Sequence, residues 1–188
     1  MLLLTFTLLL SMAAAAAERA PASCPPKPTR VVRNRGGVID YLGTAAGIAD
    51  LCRKTRTSDG TGEFYMGAWR SDWPGAGEAY PAVKQVLAGP PGAKATFVTR
   101  SWPGFQFTDS YINNGFETLT INGKPYRTVM LAHERQGIEG NTYHSIITSW
   151  RDVATGMTLK ARENQINGQS YGPDTTWEAV RVEALPPG

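Results

Sequence analysis

The chain has 188 residues, with 19 Lys or Arg against 16 Asp or Glu and a net charge of +3. That length supports one core rather than several domains. The net charge is small but unevenly placed, and the export expected below, with the lack of any aromatic-and-basic RNA-recognition motif, argues against a nucleic-acid partner.

Residues 1–17, MLLLTFTLLLSMAAAAA, carry no charged side chain. An apolar block from Leu2 to Leu10 runs into small residues. This is the layout of a secretory signal peptide without the usual basic start, and cleavage is expected near Ala15 or Ala17. Two alternatives stay open. A retained anchor would need a longer apolar block. A lipidated Cys24 would need a different approach from Pro21-Ala22-Ser23. Residues 18–30 form an extended Pro-rich leader, and 31–188 form one β-rich domain. No second apolar run is long enough for a transmembrane span after cleavage, so the mature chain is expected in the periplasm or outside the cell.

An oxidising compartment makes a Cys24–Cys52 disulfide the default pairing, with two separate buried thiols as the alternative. The bridge closes a loop of about 29 residues, worth roughly 3 to 4 kcal/mol in the chain-entropy account. Basic residues crowd this region: Arg19, Lys27, Arg30, Arg33, Arg35, Arg53, Lys54 and Arg56 fall within 18–56. Such a lobe could meet anionic lipid headgroups or an acidic partner, or simply face water.

Turn signals then come often: Gly36-Gly37, Asp59-Gly60, Asn114-Gly115, Asn122-Gly123, Gly140-Asn141, Thr155-Gly156 and Asn167-Gly168. Short β-branched and aromatic runs separate them, which points to an antiparallel meander. Strands are predicted at 31–33, 38–42, 63–69, 94–101, 105–112, 116–121, 125–136, 142–151, 157–166 and 175–184. Asn122-Gly123 is the strongest turn, because a type I′ turn needs φ > 0 at both central residues. One helix interrupts the strands. In GEAYPAVKQVLAGPPG, Pro81 suits a first helical position, Val83, Val86 and Leu87 make an apolar stripe, and Gly89-Pro90-Pro91 supplies the stop. The fold class is therefore mainly β. It is a curved antiparallel sheet, a half-barrel or open barrel, with one short helix packed on it.

A hairpin tip at Ile138-Glu139 would set Val129 opposite Thr148, Leu131 opposite Ile146 and His133 opposite His144. A following turn at Val153–Gly156 would set Trp150 opposite Leu159 and Thr148 opposite Ala161. Opposed residues share a face. Val129, Leu131, His133, His144, Ile146, Trp150 and Leu159 would then lie on one inner face. The two histidines would sit at its edge, with Glu134 turned away and Glu163 or Gln165 beside them. A one-residue slip in either turn would undo the arrangement.

Little in the chain carries catalytic chemistry. His133-Glu134 is not H-E-x-x-H, since Gly137 stands four residues on, and the segment reads as a strand rather than a helix. Two opposed histidines could give two metal ligands, but an imidazole at a core rim is the ordinary outcome. No G-x-S-x-G elbow is present. Ser145 adjoins His144 but faces the other way. Asp109, Glu117, Glu163 and Glu178 offer strand-borne carboxylates, with no spacing that marks a pair. No catalytic residue and no cofactor is expected. The aromatic load, including Trp69, Trp73, Trp102, Phe105, Phe107, Tyr111, Phe116, Trp150 and Trp177, suits a core and also suits an apolar ligand.

The stretch TSWRDVATGMTLKAR, Thr148 to Arg162, resembles the W-x-D-x-x-T-G-L/M-x-x-K/R strand–turn–strand of envelope proteins of the lipoprotein-carrier type. Similar pieces occur in mycobacterial lipid-carrying lipoproteins and in periplasmic regulators that sense lipoproteins. The matching positions are Trp150, Asp152, Thr155, Gly156, Met157 and Lys160. The chain is also similar in character to exported proteobacterial proteins at large. The resemblance implies a half-barrel closed by helices over an apolar cavity, and no catalytic residue. The expected function is a non-enzymatic envelope binding protein. It would hold a lipid, another apolar or amphiphilic ligand, or an envelope protein partner on its concave face. A small metal-binding protein or metal-dependent enzyme using His133 and His144 is one alternative. A module docking through its basic N-terminal lobe is the other.

Overall fold

The computed structural model describes residues 24–45, 47–58, 60–100, 104–169 and 175–186. The expected signal peptide, most of the leader before Cys24, and Trp102 lie outside the described residues. Eleven strands and one helix follow in order: β1 Thr29–Arg33, β2 Val38–Ala45, β3 Ile48–Arg56, β4 Gly60–Tyr65, β5 Trp69–Arg70, α1 Ala76–Ala88, β6 Lys94–Arg100, β7 Gln106–Ile121, β8 Lys124–Gly137, β9 His144–Asp152, β10 Thr158–Asn167 and β11 Trp177–Ala184.

All eleven strands join one antiparallel sheet in the order β5-β4-β3-β2-β1-β11-β10-β9-β8-β7-β6. The first and last strands meet in the middle, where Val31 pairs with Val182. The chain runs outward from β1 to β5, crosses through α1 to the far edge, and returns from β6 to β11. Every sequential strand pair is thus a neighbour, except β5 and β6, which are the two edges. The sheet stays open, as the expected curved meander requires, and α1 packs against β5, β6 and β7 at the gap.

The helix buries Ala79, Ala82, Val83, Val86 and Leu87. These pack with Met66, Trp69, Tyr111, Val129 and Leu131 into one core cluster. Pro81 is not the first helical residue. The helix begins five residues earlier at Ala76, so Pro81 sits in its second turn. Its missing N–H leaves the Gly77 carbonyl without the usual partner. Gly75 caps the start in a left-handed conformation (φ 81) without a side-chain hydrogen bond. A Cβ there would collide with the Thr99 side chain of β6, so the close approach of helix to sheet requires glycine.

A second cluster joins Val31, Ile39, Tyr41, Met157, Leu159, Ala161, Trp177 and Ala179 to Ile121 and Tyr126 from the far end of the β7–β8 hairpin. Tyr126 and Leu131 both lie on β8 an odd number of residues apart, so they point to opposite faces locally. They accordingly enter different clusters, Tyr126 with Leu159 and Val31 and Leu131 with the helix.

Three strand readings fail for physical reasons. The expected strand 63–69 is broken after Tyr65 by a turn with Met66 and Gly67 at positive φ, and resumes only at Trp69–Arg70. The expected strands 105–112 and 116–121 form one strand, Gln106–Ile121. Asn114-Gly115 makes a bulge, not a turn: the register with β8 shifts between Asn113 and Phe116. Gly115 has φ 92, and Asn113 Oδ1 accepts its N–H at 2.9 Å. β3 escapes the sequence reading altogether, because its inward positions hold charge. Lys54 is buried with Nζ 3.9 Å from the Phe64 ring centroid and donates to the Gly67 carbonyl at 2.8 Å. Asn122-Gly123 is the expected turn, with φ of 49 and 77.

Candidate functional site

The register of β9 decides which side chains meet. Gln136 pairs with His144, His133 with Ile147, Leu131 with Ser149 and Val129 with Arg151. The expected pairing is off by three residues. The loop between β8 and β9 spans 138–143, with Glu139 and Gly140 both at positive φ. It is closed by Gly137 N donating to Tyr143 O at 2.7 Å. Asn141 N donates to the Ile138 carbonyl at 3.2 Å, so Glu139-Gly140 is the turn centre, not Ile138-Glu139.

A shift by an odd number turns β9 over. Ser145, Ile147, Ser149 and Arg151 face inward with Val129, Leu131 and His133. His144, Ile146 and Trp150 face outward. The β9–β10 register also slips by one, so that Ala161 pairs with Ser149 and Lys160 with Trp150. The two slips cancel for β10. Leu159 and Ala161 keep their place inside, in the same core cluster, and Glu163 and Gln165 stay on the face of His133.

The two histidines consequently do not meet. His144 Nε2 lies 3.0 Å from Glu134 Oε1 on the outer face. His133 Nε2 lies 2.6 Å from Asp109 Oδ1 on the inner face. Among the described residues no group of three His, Cys, Asp or Glu side chains comes together as a metal shell. A metal site built on both histidines is not assembled.

What forms instead is an inner-face polar cluster under Trp69. Asp109 is wholly buried. Arg135, directly opposite on β8, donates Nε to Oδ1 at 2.8 Å and Nη2 to Oδ2 at 3.2 Å. Thr99 Oγ1 donates to Oδ2. Burial alone would raise the Asp109 pKa, but His133 and Arg135 outweigh it and hold the carboxyl down to about 2. An ionised carboxylate only accepts, so His133 Nε2 carries the shared proton. The imidazole is stacked on Tyr111 at 4.7 Å between centroids and edged by Trp69 at 5.5 Å. The Arg135 guanidinium lies 4.7 Å from the Phe107 ring.

This cluster is a satisfied charge network rather than a catalytic triad. Ser145 Oγ is hydrogen-bonded to Tyr143 Oη at 2.7 Å. The four strand carboxylates are divided as well. Glu117 accepts from Trp150 Nε1 at 2.6 Å on the outer face. Glu178 pairs with Lys160 at 2.7 Å. Glu163 accepts from Thr175 Oγ1 at 2.6 Å.

Val129, Leu131 and Leu159 are closed off by neighbours at 0 to 1% exposure, so they support the inner face rather than line open space. Among the described residues an open cleft lies elsewhere. A half-open cleft of about 930 Å³ lies where the β7–β8 tip, the β9–β10 turn and the ends of β1 and β11 meet. Its lining is mainly apolar: Pro28, Pro125, Tyr126, Val153, Met157, Val182 and Ala184. Lys27, Lys124 and Arg127 stand in its wall with Asp152 and Glu183. Both acids are occupied. Asp152 accepts from Thr155 Oγ1, and Glu183 pairs with Arg181 at 2.8 Å. Sequence reading missed this cleft because its residues come from four distant segments. Asp152, Thr155 and Met157, all in the recognised strand–turn–strand, were the signals in hand.

Cys24 and Cys52 form the expected disulfide, with Cα atoms 5.4 Å apart. The basic N-terminal lobe divides by strand alternation. Arg33 and Lys54 are buried, while Arg30 pairs with Asp40 at 2.7 Å with its side chain partly exposed.

No family model matches the chain. No curated protein matches it either. Among solved structures the chain is similar to the hypothetical lipoprotein YmcC of Escherichia coli K12, at 14% identity over 93% of this chain and 94% of that one, with a TM-score of 0.49.

Proposed function

We propose that this chain is an exported, non-enzymatic binding protein of the cell envelope, and that it holds the alkyl part of an amphiphilic ligand in the cleft beneath the β7–β8 tip. The observation that carries the reading is the cleft itself. Its volume of about 930 Å³ and its Tyr126, Met157 and Val182 lining fit the size and apolar character of small-molecule sites. The apolar start of the sequence and the disulfide support export. The reading keeps the expected amphiphile but moves it from the inner face, which α1 and the β4–β5 turn fill.

Native mass spectrometry of protein purified from its own host tests this, together with binding of dodecanol by the delipidated chain. An adduct displaced by dodecanol and lost on Ala154→Trp, which fills the cleft from the exposed β9–β10 turn, is expected. A bare wild-type mass together with no dodecanol binding overturns the reading.

A further inference from the structure

Arg151 is wholly buried on the inner face of β9. Its Nη2 donates to the Met66 carbonyl and, at 3.0 Å, to the Gly156 carbonyl. Its Nε and Nη1 are buried with no acceptor. Asp152, the next residue along, points to the other side of the strand and is held by Thr155. No carboxylate among the described residues pairs with this guanidinium. A full charge taken out of water and met only by neutral carbonyls is costly, and folded proteins keep such a group where something anionic pays it back. One of those carbonyls belongs to Met66, a non-glycine residue at φ 47. The backbone is thus bent into an uncommon conformation at the point where it meets Arg151.

The cleft comes within one residue of this group. Gly156, whose carbonyl touches Arg151, sits between Thr155 and Met157, and both of these line the cleft. We propose that Arg151 is the internal anchor for a carboxylate at the end of the ligand's alkyl chain, which enters the cleft acid first. This rests on the cleft being the binding site. One guanidinium matches one singly charged head. A carboxylate supplies both the charge and the acceptors that Nε and Nη1 lack. Met157 lines the cleft beside Gly156 and is itself buried. It is unbranched and flexible, and its rotation is the proposed movement by which the carboxylate reaches the guanidinium.

The test uses the full delipidated chain with dodecanoate and dodecanol as probes, below their micellar concentrations. Dodecanoate is expected to bind at least tenfold tighter. Arg151→Met is expected to remove that gap and keep dodecanol binding, whereas Lys27→Ala/Lys124→Ala keeps the gap. In the wild type, [1-13C]dodecanoate should titrate at lower pH bound than free, a readout that does not depend on the Arg151→Met variant folding. Equal affinity for acid and alcohol, a gap that follows the two lysines, or a bound carboxyl that titrates like the free acid overturns the Arg151 assignment and leaves the cleft reading standing. Binding of neither probe overturns both.

Discussion

His133 and Asp109 are 24 residues apart in sequence, yet Nε2 and Oδ1 are 2.6 Å apart. The Asp109 carboxyl is held down to about 2 in the folded chain, against about 3.9 in an unfolded one. A depressed acid stabilises the fold above its unfolded value and loses that contribution as pH falls through its folded value. About 2 kcal/mol should therefore disappear between roughly pH 5 and pH 1. Asp109→Asn should be weaker than wild type by about 3 kcal/mol at neutral pH, because it leaves the half-buried Arg135 guanidinium without its carboxylate. The gap should narrow by most of that ~2 kcal/mol as the pH approaches 2. Urea unfolding of both proteins across pH checks this. A gap that stays constant down to pH 2 would contradict the assigned network.

The same cluster reaches the helix through Thr99, which donates to Asp109 and lies against the Cα of Gly75. Gly75→Ala should cost about 2 kcal/mol or more, from positive φ together with overpacking. Gly36 is a control, since it has φ 79 but open space around its Cα. Gly36→Ala should cost only the conformational part, about 1 kcal/mol. Equal losses in urea midpoints would show that the approach of helix to sheet is loose.

How far the sequence carried the fold depends on what each strand turns inward. β8 and β10 were legible because Val129, Leu131, Leu159 and Ala161 alternate with polar residues and are buried. β9 was not, because its inner row holds Ser145, Ser149 and Arg151 around a single Ile147, while its outer row holds Ile146 and Trp150. Those inner groups are satisfied by partners from other segments, which a single sequence does not display. Ser149 donates to the Leu131 carbonyl at 3.2 Å, and Arg151 to the turn at Met66. The hydrophobic pattern therefore favoured the wrong face, and a six-residue loop was taken for a two-residue tip. The candidate site suffered more than the fold. Asp109 was visible only as one carboxylate among four, and nothing marked Arg135 as its partner.

The disulfide spans 28 positions and ties the segment before β1 to β3. Chain-entropy reasoning gives about 3 to 4 kcal/mol for a loop of this length. Cys24→Ser/Cys52→Ser should lose about that much, and wild type with reductant should match the variant. The measurement is urea unfolding with and without dithiothreitol. A variant as stable as oxidised wild type would mean that β1 and β3 hold the segment unaided.

Trp150 and Leu131 separate the outer face from the inner one. Leu131 is in the helix-side core, and Leu131→Ala should cost about 2 to 5 kcal/mol. Trp150 lies on the other side of the sheet, with Nε1 on Glu117 at 2.6 Å and Lys160 Nζ 4.8 Å from its ring. Trp150→Phe keeps most of the packing and removes the hydrogen bond to a charged acceptor, at about 1.5 to 3 kcal/mol. Trp150 does not line the cleft, so occupancy by a bound amphiphile should be unchanged in that variant. It should fall with Met157→Asp, which puts a charge into the lining. Native mass spectra of the two variants decide between the faces. Loss of the adduct on Trp150→Phe, with retention on Met157→Asp, would return the ligand to the sheet surface that the unshifted register had suggested.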